Sequence, residues 1–178
     1  MTIIVNFFAG SGVGKSVLAT DLFSKLKKLN IETELALEFA KDLVWTENYS
    51  ALKNQIYVFG NQLHRIERLI NKVDVIITDS PLLLSIIYKQ DNLSDKFDKL
   101  VLEIFNSYNN YNYFIERTHS FNPNGRIENT VEEAIAKDNR IKELLVNNNI
   151  KYESIASEEK YVNSISNDIK SEINWEKR

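Results

Sequence analysis

A chain of 178 residues, 43% of them hydrophobic, carries enough apolar side chain for one full core and too little for a convincing second. Its formal charge of −3 lacks the overall basic footprint of most nucleic-acid binders, although a local basic cleft is compatible with that average. The absence of cysteine excludes a disulfide framework, a thiolate nucleophile and a zinc–thiolate site, so any chemistry must rest on oxygen and nitrogen groups. No apolar run reaches membrane-spanning length, and Met1 leads into a strand-like run with no basic segment or small-residue cleavage site; a cytoplasmic protein is expected.

Residues 2–8 read as a buried strand. Ala9-Gly10-Ser11-Gly12-Val13-Gly14-Lys15-Ser16 follows, and residues 15–29 place Val17, Leu18, Leu22, Phe23, Leu26 and Leu29 at helical spacing. Strand, glycine-rich loop ending in Gly-Lys-Ser, and helix together predict a phosphate-binding P-loop. The glycines let backbone N–H groups from Gly10 to Ser16 turn inward around a β-phosphate, Lys15 reaches the β/γ-phosphates, and the Ser16 hydroxyl ligates Mg²⁺. The helix N-terminus favours the anion further. Ala9 stands where the strict motif has glycine, with Gly10 and Gly12 still supplying freedom around it.

A second strand is expected over residues 31–37, ending at Glu38, then a helical region clearest over 54–70 and a third strand over 73–78. Asp79-Ser80-Pro81 closes that strand, and Pro81 suits the first turn of a helix over 82–89. A helix over 94–105 and a fourth strand over 111–116 come next. Residues 117–130 are polar, contain Pro123, Asn124 and Gly125, and read as a loop long enough for a lid. A helix over 131–146, a short fifth strand over 151–155 and a final helix over 158–173 complete the chain. The alternation predicts a single α/β domain over residues 1–178, with a five-stranded parallel sheet and helices on both faces. In such sheets ligands bind beyond the C-terminal strand ends, so residues 9–16, Glu38, Asp79 and Arg117 should share one crevice. Asp74, at the other end of the third strand, should face away from it.

On these residues the chain resembles a small P-loop kinase of the nucleoside and nucleotide kinase class. Within that class it is similar to ribosylnicotinamide-kinase-like proteins often labelled AAA-type ATPases, many of them phage-encoded. The match is carried by the loop at 9–16, Glu38-Phe39-Ala40-Lys41, Asp79-Ser80-Pro81, and Arg117 with Asn122-Pro123-Asn124-Gly125-Arg126. Glu132-Glu133-Ala134 and Asp138 extend it. Related kinases often have arginine at Lys41 and a fuller Asp-Arg-Ser or Asp-Thr-Asp sequence at Asp79-Ser80-Pro81, departures that leave the acceptor open. The chain has no segment for the helical lid domain of the larger AAA machines.

The resemblance implies ATP and Mg²⁺ as cofactors and transfer of a γ-phosphoryl group to a nucleoside, nucleotide or similar small acceptor. Lys15 and Ser16 would bind the donor and its metal. Asp79 would hold Mg²⁺ or accept the acceptor proton; its alternative is a helix N-cap. Glu38 occupies the place where deoxynucleoside kinases keep their base, against the alternative of a first-turn acid completing a helix dipole. Lys41 could pair with Glu38 or remain solvated. Arg117 and Arg126 bracket the lid, and their planar forks suit the equatorial oxygens of a transferring phosphoryl group. Gln62 or Arg65 could read a base or phosphate, although a solvated polar face is the commoner use of such residues; Trp45, Tyr49 and Tyr57 could stack on a base or simply form core or rim. Two other readings stand beside the small-molecule kinase: a kinase acting on a hydroxymethylated base in DNA, and an ATP-binding switch or ATPase with no acceptor. A monomer and a homodimer both fit the sequence.

Overall fold

A computed structural model describes residues 1–118 and 130–176. Among the described residues the elements run β1 (Ile3–Phe8), α1 (Lys15–Lys28), β2 (Thr33–Leu35), α2 (Phe39–Trp45), α3 (Tyr49–Leu52), α4 (Gln55–Glu67) and β3 (Val75–Thr78). They continue through α5 (Leu84–Tyr88), α6 (Asp95–Asn106), β4 (Asn109–Ile115), α7 (Val131–Asn147), β5 (Glu153–Ile155) and α8 (Glu159–Glu176). The strands form one sheet in the order β2-β3-β1-β4-β5, and every pairing is parallel. The five-stranded α/β architecture expected from the alternation is the architecture found.

Side-chain alternation along the strands divides the core in two. Ile3, Val5 and Phe7 of β1 face α1 and α8, packing with Leu18, Leu22, Leu26, Val162, Ile165 and Ile169. Ile4 and Phe8 face the other way, into a cluster with Phe59, Ile66, Leu83, Phe97, Val101, Phe105, Ile141 and Leu145. Leu18, Leu22 and Leu26 recur every four residues, which makes the inward stripe of α1, and Lys25, Lys27 and Lys28 complement its C-terminal dipole. β1 is buried at every position although it contains Asn6, because the Asn6 side-chain amide donates to Oδ1 of Asn110 and of Asn112 at 2.9 and 3.0 Å. Among the described residues no helix is long and apolar enough to cross a membrane.

Several boundaries differ from expectation, each for a local reason. β2 is three residues long because it is an edge strand, and Leu37 leaves the sheet for solvent. The region 38–54 splits into α2 and α3 at Glu47, whose φ of 54° is left-handed. Asn48 and Asn54 then cap α3 and α4 by accepting the Ala51 and Tyr57 N–H groups. α5 begins at Leu84 rather than 82, because residues 81–85 first make tight turns, with Leu84 N–H donating to Pro81 O at 2.9 Å. β1 lies between β3 and β4, and the pairing of Asn6 with Thr78 brings the end of β1 and the end of β3 to one edge.

Candidate nucleotide-binding site

At that edge the loop of residues 9–14 turns out of β1 and enters α1. Gly12 and Gly14 hold left-handed φ values of 84° and 92°, which strain a side chain. A Cβ on Gly14 would also lie 2.5 Å from Ser157 Oγ, on the segment that follows β5. Gly14 supplies no side-chain cap to α1, and no acidic residue occupies the first turn. Helix N-terminal N–H groups in such a setting suit an anionic ligand. Lys15 Nζ lies back across the loop, donating to Ala9 O at 2.9 Å and Gly10 O at 2.7 Å.

Asp79 joins three strand exits. It is 3% exposed, its Oδ2 accepts the Ser16 hydroxyl at 2.5 Å, and its Oδ1 accepts the Glu38 N–H at 3.0 Å. The capping alternative for Asp79 is not what forms, since α5 starts five residues later with Leu83 at its N-cap. Two adjacent oxygen donors, Ser16 Oγ and Asp79, suit a magnesium ion. That ion takes few protein ligands and relies on phosphate and water oxygens for the rest, and among the described residues no group of three His, Asp or Glu side chains forms a dedicated cage. Beside Asp79 opens a cavity of about 290 Å³, lined among others by Glu38, Leu52, Gln55, Val58, Leu84 and Tyr88.

Arg117, just past β4, is built into the loop. Its Nη1 donates to Ser11 O at 2.9 Å, its Nε donates to Asp138 Oδ2 at 3.0 Å, and its Nη2 lies 2.9 Å from the same oxygen. The other Asp138 oxygen accepts the Gly10 N–H at 2.6 Å. One α7 carboxylate thus ties the first limb of the loop to Arg117, and a Cβ on Gly10 would press on it at 3.0 Å. Sequence reasoning carried Asp138 only as part of a resemblance, without a task. The signal was present, because Asp138 interrupts the buried α7 stripe of Ala134, Ile141 and Leu145 with a charge.

The remaining candidates separate. Arg126 and residues 119–129 of the expected lid lie outside the described residues. Gln62 is neither solvated nor available for reading a ligand. It is 4% exposed, its Oε1 accepts the Phe39 N–H at 2.9 Å, and its Nε2 donates to Ala36 O at 3.3 Å. Arg65 donates to Leu37 O at 3.0 Å, pairs with Asp42 and stacks on Phe39. Lys41 is exposed, as are Trp45, Tyr49 and Tyr57, although the Tyr57 ring meets Phe39 edge-on at 5.6 Å. Asp74 sits at the opposite end of β3, as expected, where its Oδ2 accepts the Glu32 N–H at 3.3 Å.

Comparison with known proteins agrees with the fold. The family model described as AAA domain matches residues 4–160. No curated protein matches the sequence. Among solved structures, that of deoxyadenosine kinase from M. mycoides with bound dATP is similar in fold, with a TM-score of 0.54 and 18% identity. The likeness covers 94% of this chain and 98% of that one.

Proposed function

This chain belongs to the AAA domain family, and we propose that it is an ATP- and magnesium-dependent phosphotransferase acting on a nucleoside, nucleotide or related small acceptor. The observation that carries the proposal is the junction at Asp79. A single buried carboxylate touches the P-loop hydroxyl on one side and the Glu38 backbone on the other, beside a cavity of about 290 Å³ that Glu38 lines. Donor and acceptor sites then share a wall. The small volume supports a free small molecule over a base held in duplex DNA.

The loop N–H groups and Lys15 cradle the β- and γ-phosphates, and Lys15 exchanges its two carbonyl partners for phosphate oxygens when ATP enters. Ser16 and Asp79 would hold magnesium, which would offset the charge of those phosphates. Both Asp79 oxygens are engaged by Ser16 and by the Glu38 N–H, which favours the cavity-lining Glu38 carboxylate as the base. The acceptor hydroxyl oxygen attacks the γ-phosphorus, its proton passes to Glu38, and the bond to the β–γ bridging oxygen breaks to release ADP. Arg117, anchored on Ser11 O and Asp138, holds the loop in register; Arg126 is assigned with it to closure over the transferring group on sequence grounds.

The test is ATP consumption by the protein with Mg²⁺ across nucleosides, nucleotides, ribosylnicotinamide and hydroxymethylated DNA, with Lys15→Ala alongside. Stimulation by one acceptor, reduced at least roughly 100-fold in Lys15→Ala while the melting temperature holds, is the expected result. Full activity in that variant, or hydrolysis indifferent to every acceptor, overturns it.

A further inference from the structure

Gly60 stands inside α4, and nothing within the protein calls for a glycine there. Its backbone is ordinary helix, the left-handed glycines being Gly12 and Gly14. A Cβ on it would meet nothing within 4 Å among the described residues. A glycine inside a helix is destabilising relative to alanine, and what it uniquely offers is a bare backbone that something outside can approach. At about 100° per residue, Ile56, His64 and Glu67 lie within about 40° of Gly60 around the helix. All four positions are exposed, Ile56 at 58%, and so is Lys53, which precedes the Asn54 N-cap. Tyr57, 46% exposed, borders this line on the side of α2, where its ring meets Phe39 and Arg65 pairs with Asp42. Trp45, one turn beyond Asp42 on α2, is 70% exposed. Tryptophan and tyrosine beside isoleucine is the composition of an interface centre.

The charges identify the partner. Lys53 at the start of the helix and Glu67 at its end oppose the macrodipole, which favours acids at the start and bases at the end. Within the protein Glu67 accepts the Tyr108 hydroxyl at a long 3.4 Å. Two copies of α4 laid antiparallel about a two-fold axis at Gly60 remove the conflict. Lys53 of each copy then faces Glu67 of the other, both seven residues from the glycine, and Ile56 faces His64, both four away. We propose that this face of α4, flanked by Trp45 and Tyr57, is the two-fold interface of a homodimer in which the helix backbones approach closely at Gly60. Such a contact is self-complementary by symmetry. A stable one needs about 800 Å² from each copy, more than a helix about 20 Å long supplies, and the two aromatic side chains extend it. The inner face of α4 carries Gln55 and Val58 to the cavity beside Glu38, so each copy braces that wall of the other from behind.

Sedimentation equilibrium of the full chain tests this against the 20.7 kDa of a single copy. The unmodified protein should show the mass of a dimer at about 10 µM. Gly60→Arg sets a long side chain at the crossing and should raise the dimer Kd at least roughly 30-fold. Gly60→Ala should weaken the dimer about tenfold while raising the melting temperature of the dilute monomer by a few degrees, opposite effects that a glycine without a partner does not give. Lys53→Glu should raise Kd about tenfold, and adding Glu67→Lys should restore it. Circular dichroism identifies a variant that fails to fold, and the remaining variants then decide. Monomer mass up to about 100 µM in the unmodified protein overturns the proposal. So does a dimer indifferent to Gly60→Arg, whose interface then lies elsewhere. A dimer that Lys53→Glu dissociates and the double exchange leaves dissociated overturns it too, because the antiparallel register is gone. The phosphotransfer reading stands or falls apart from all of these results.

Discussion

The strand β3 is bracketed by two aspartates, Asp74 before it and Asp79 after it; Asp74 lines one cavity, and Glu38 and Ser80 beside Asp79 line another. The one at the Asp74 end is the larger, about 410 Å³ against about 290 Å³. Yet Asp74 is half-buried and its Oδ2 takes the Glu32 N–H at a long 3.3 Å, whereas Asp79 is buried and braces the Ser16 hydroxyl and the Glu38 N–H. Volume does not locate the candidate chemistry; strand polarity does. In a parallel sheet every helix that follows a strand starts at the same edge, so unpaired N–H groups, loop glycines and strand-exit carboxylates collect there and not at the other.

The largest effect is expected at Asp79. Asp79→Asn keeps an oxygen for the Glu38 N–H but loses the charge beside Ser16. Acceptor-stimulated kcat should fall roughly 100- to 1,000-fold with the melting temperature little changed. Retained activity would mean that Asp79 is only a brace. A second, smaller effect sharpens the role of the carboxylate behind the loop. Asp138→Ala leaves the Arg117 guanidinium and the Gly10 N–H without their buried partner, and both side chains of that pair are 11% exposed. Urea denaturation should show a loss of about 3 kcal/mol, and the KM for ATP should rise more than that for the acceptor. A stability change under about 0.5 kcal/mol would remove the strut argument. The smallest effect is expected at the weak end. Asp74→Asn should change neither acceptor-stimulated turnover by more than about twofold nor stability by more than about 0.5 kcal/mol.

Much of this arrangement is legible in residues alone. Ala9 to Ser16 identifies a phosphate loop because Gly-Lys-Ser between a strand pattern and a helix pattern has few other uses. Asp79 and Glu38 were placed at one crevice by strand polarity, and their shared hydrogen bond agrees. Other features were hidden. Gln62 looks in sequence like any polar residue on a helix face, and only its packing against Ala36 and Phe39 makes it a buried brace. Arg117 reads as a mobile loop arginine until α7 brings Asp138 against it.

Local patterns therefore determined the strands, the helices, the loop chemistry and the parallel polarity, because these depend on side chains within a turn or two of one another. Which polar groups are spent on the fold and which are left for a ligand was decided only in three dimensions. The partners that consume them lie far away along the chain. Asp138 is 128 residues from Gly10 and 21 from Arg117, and Ser16 is 63 from Asp79. Closing such separations is the work of the hydrophobic core on both faces of the sheet, which constrains where a backbone goes and is indifferent to which polar group arrives with it.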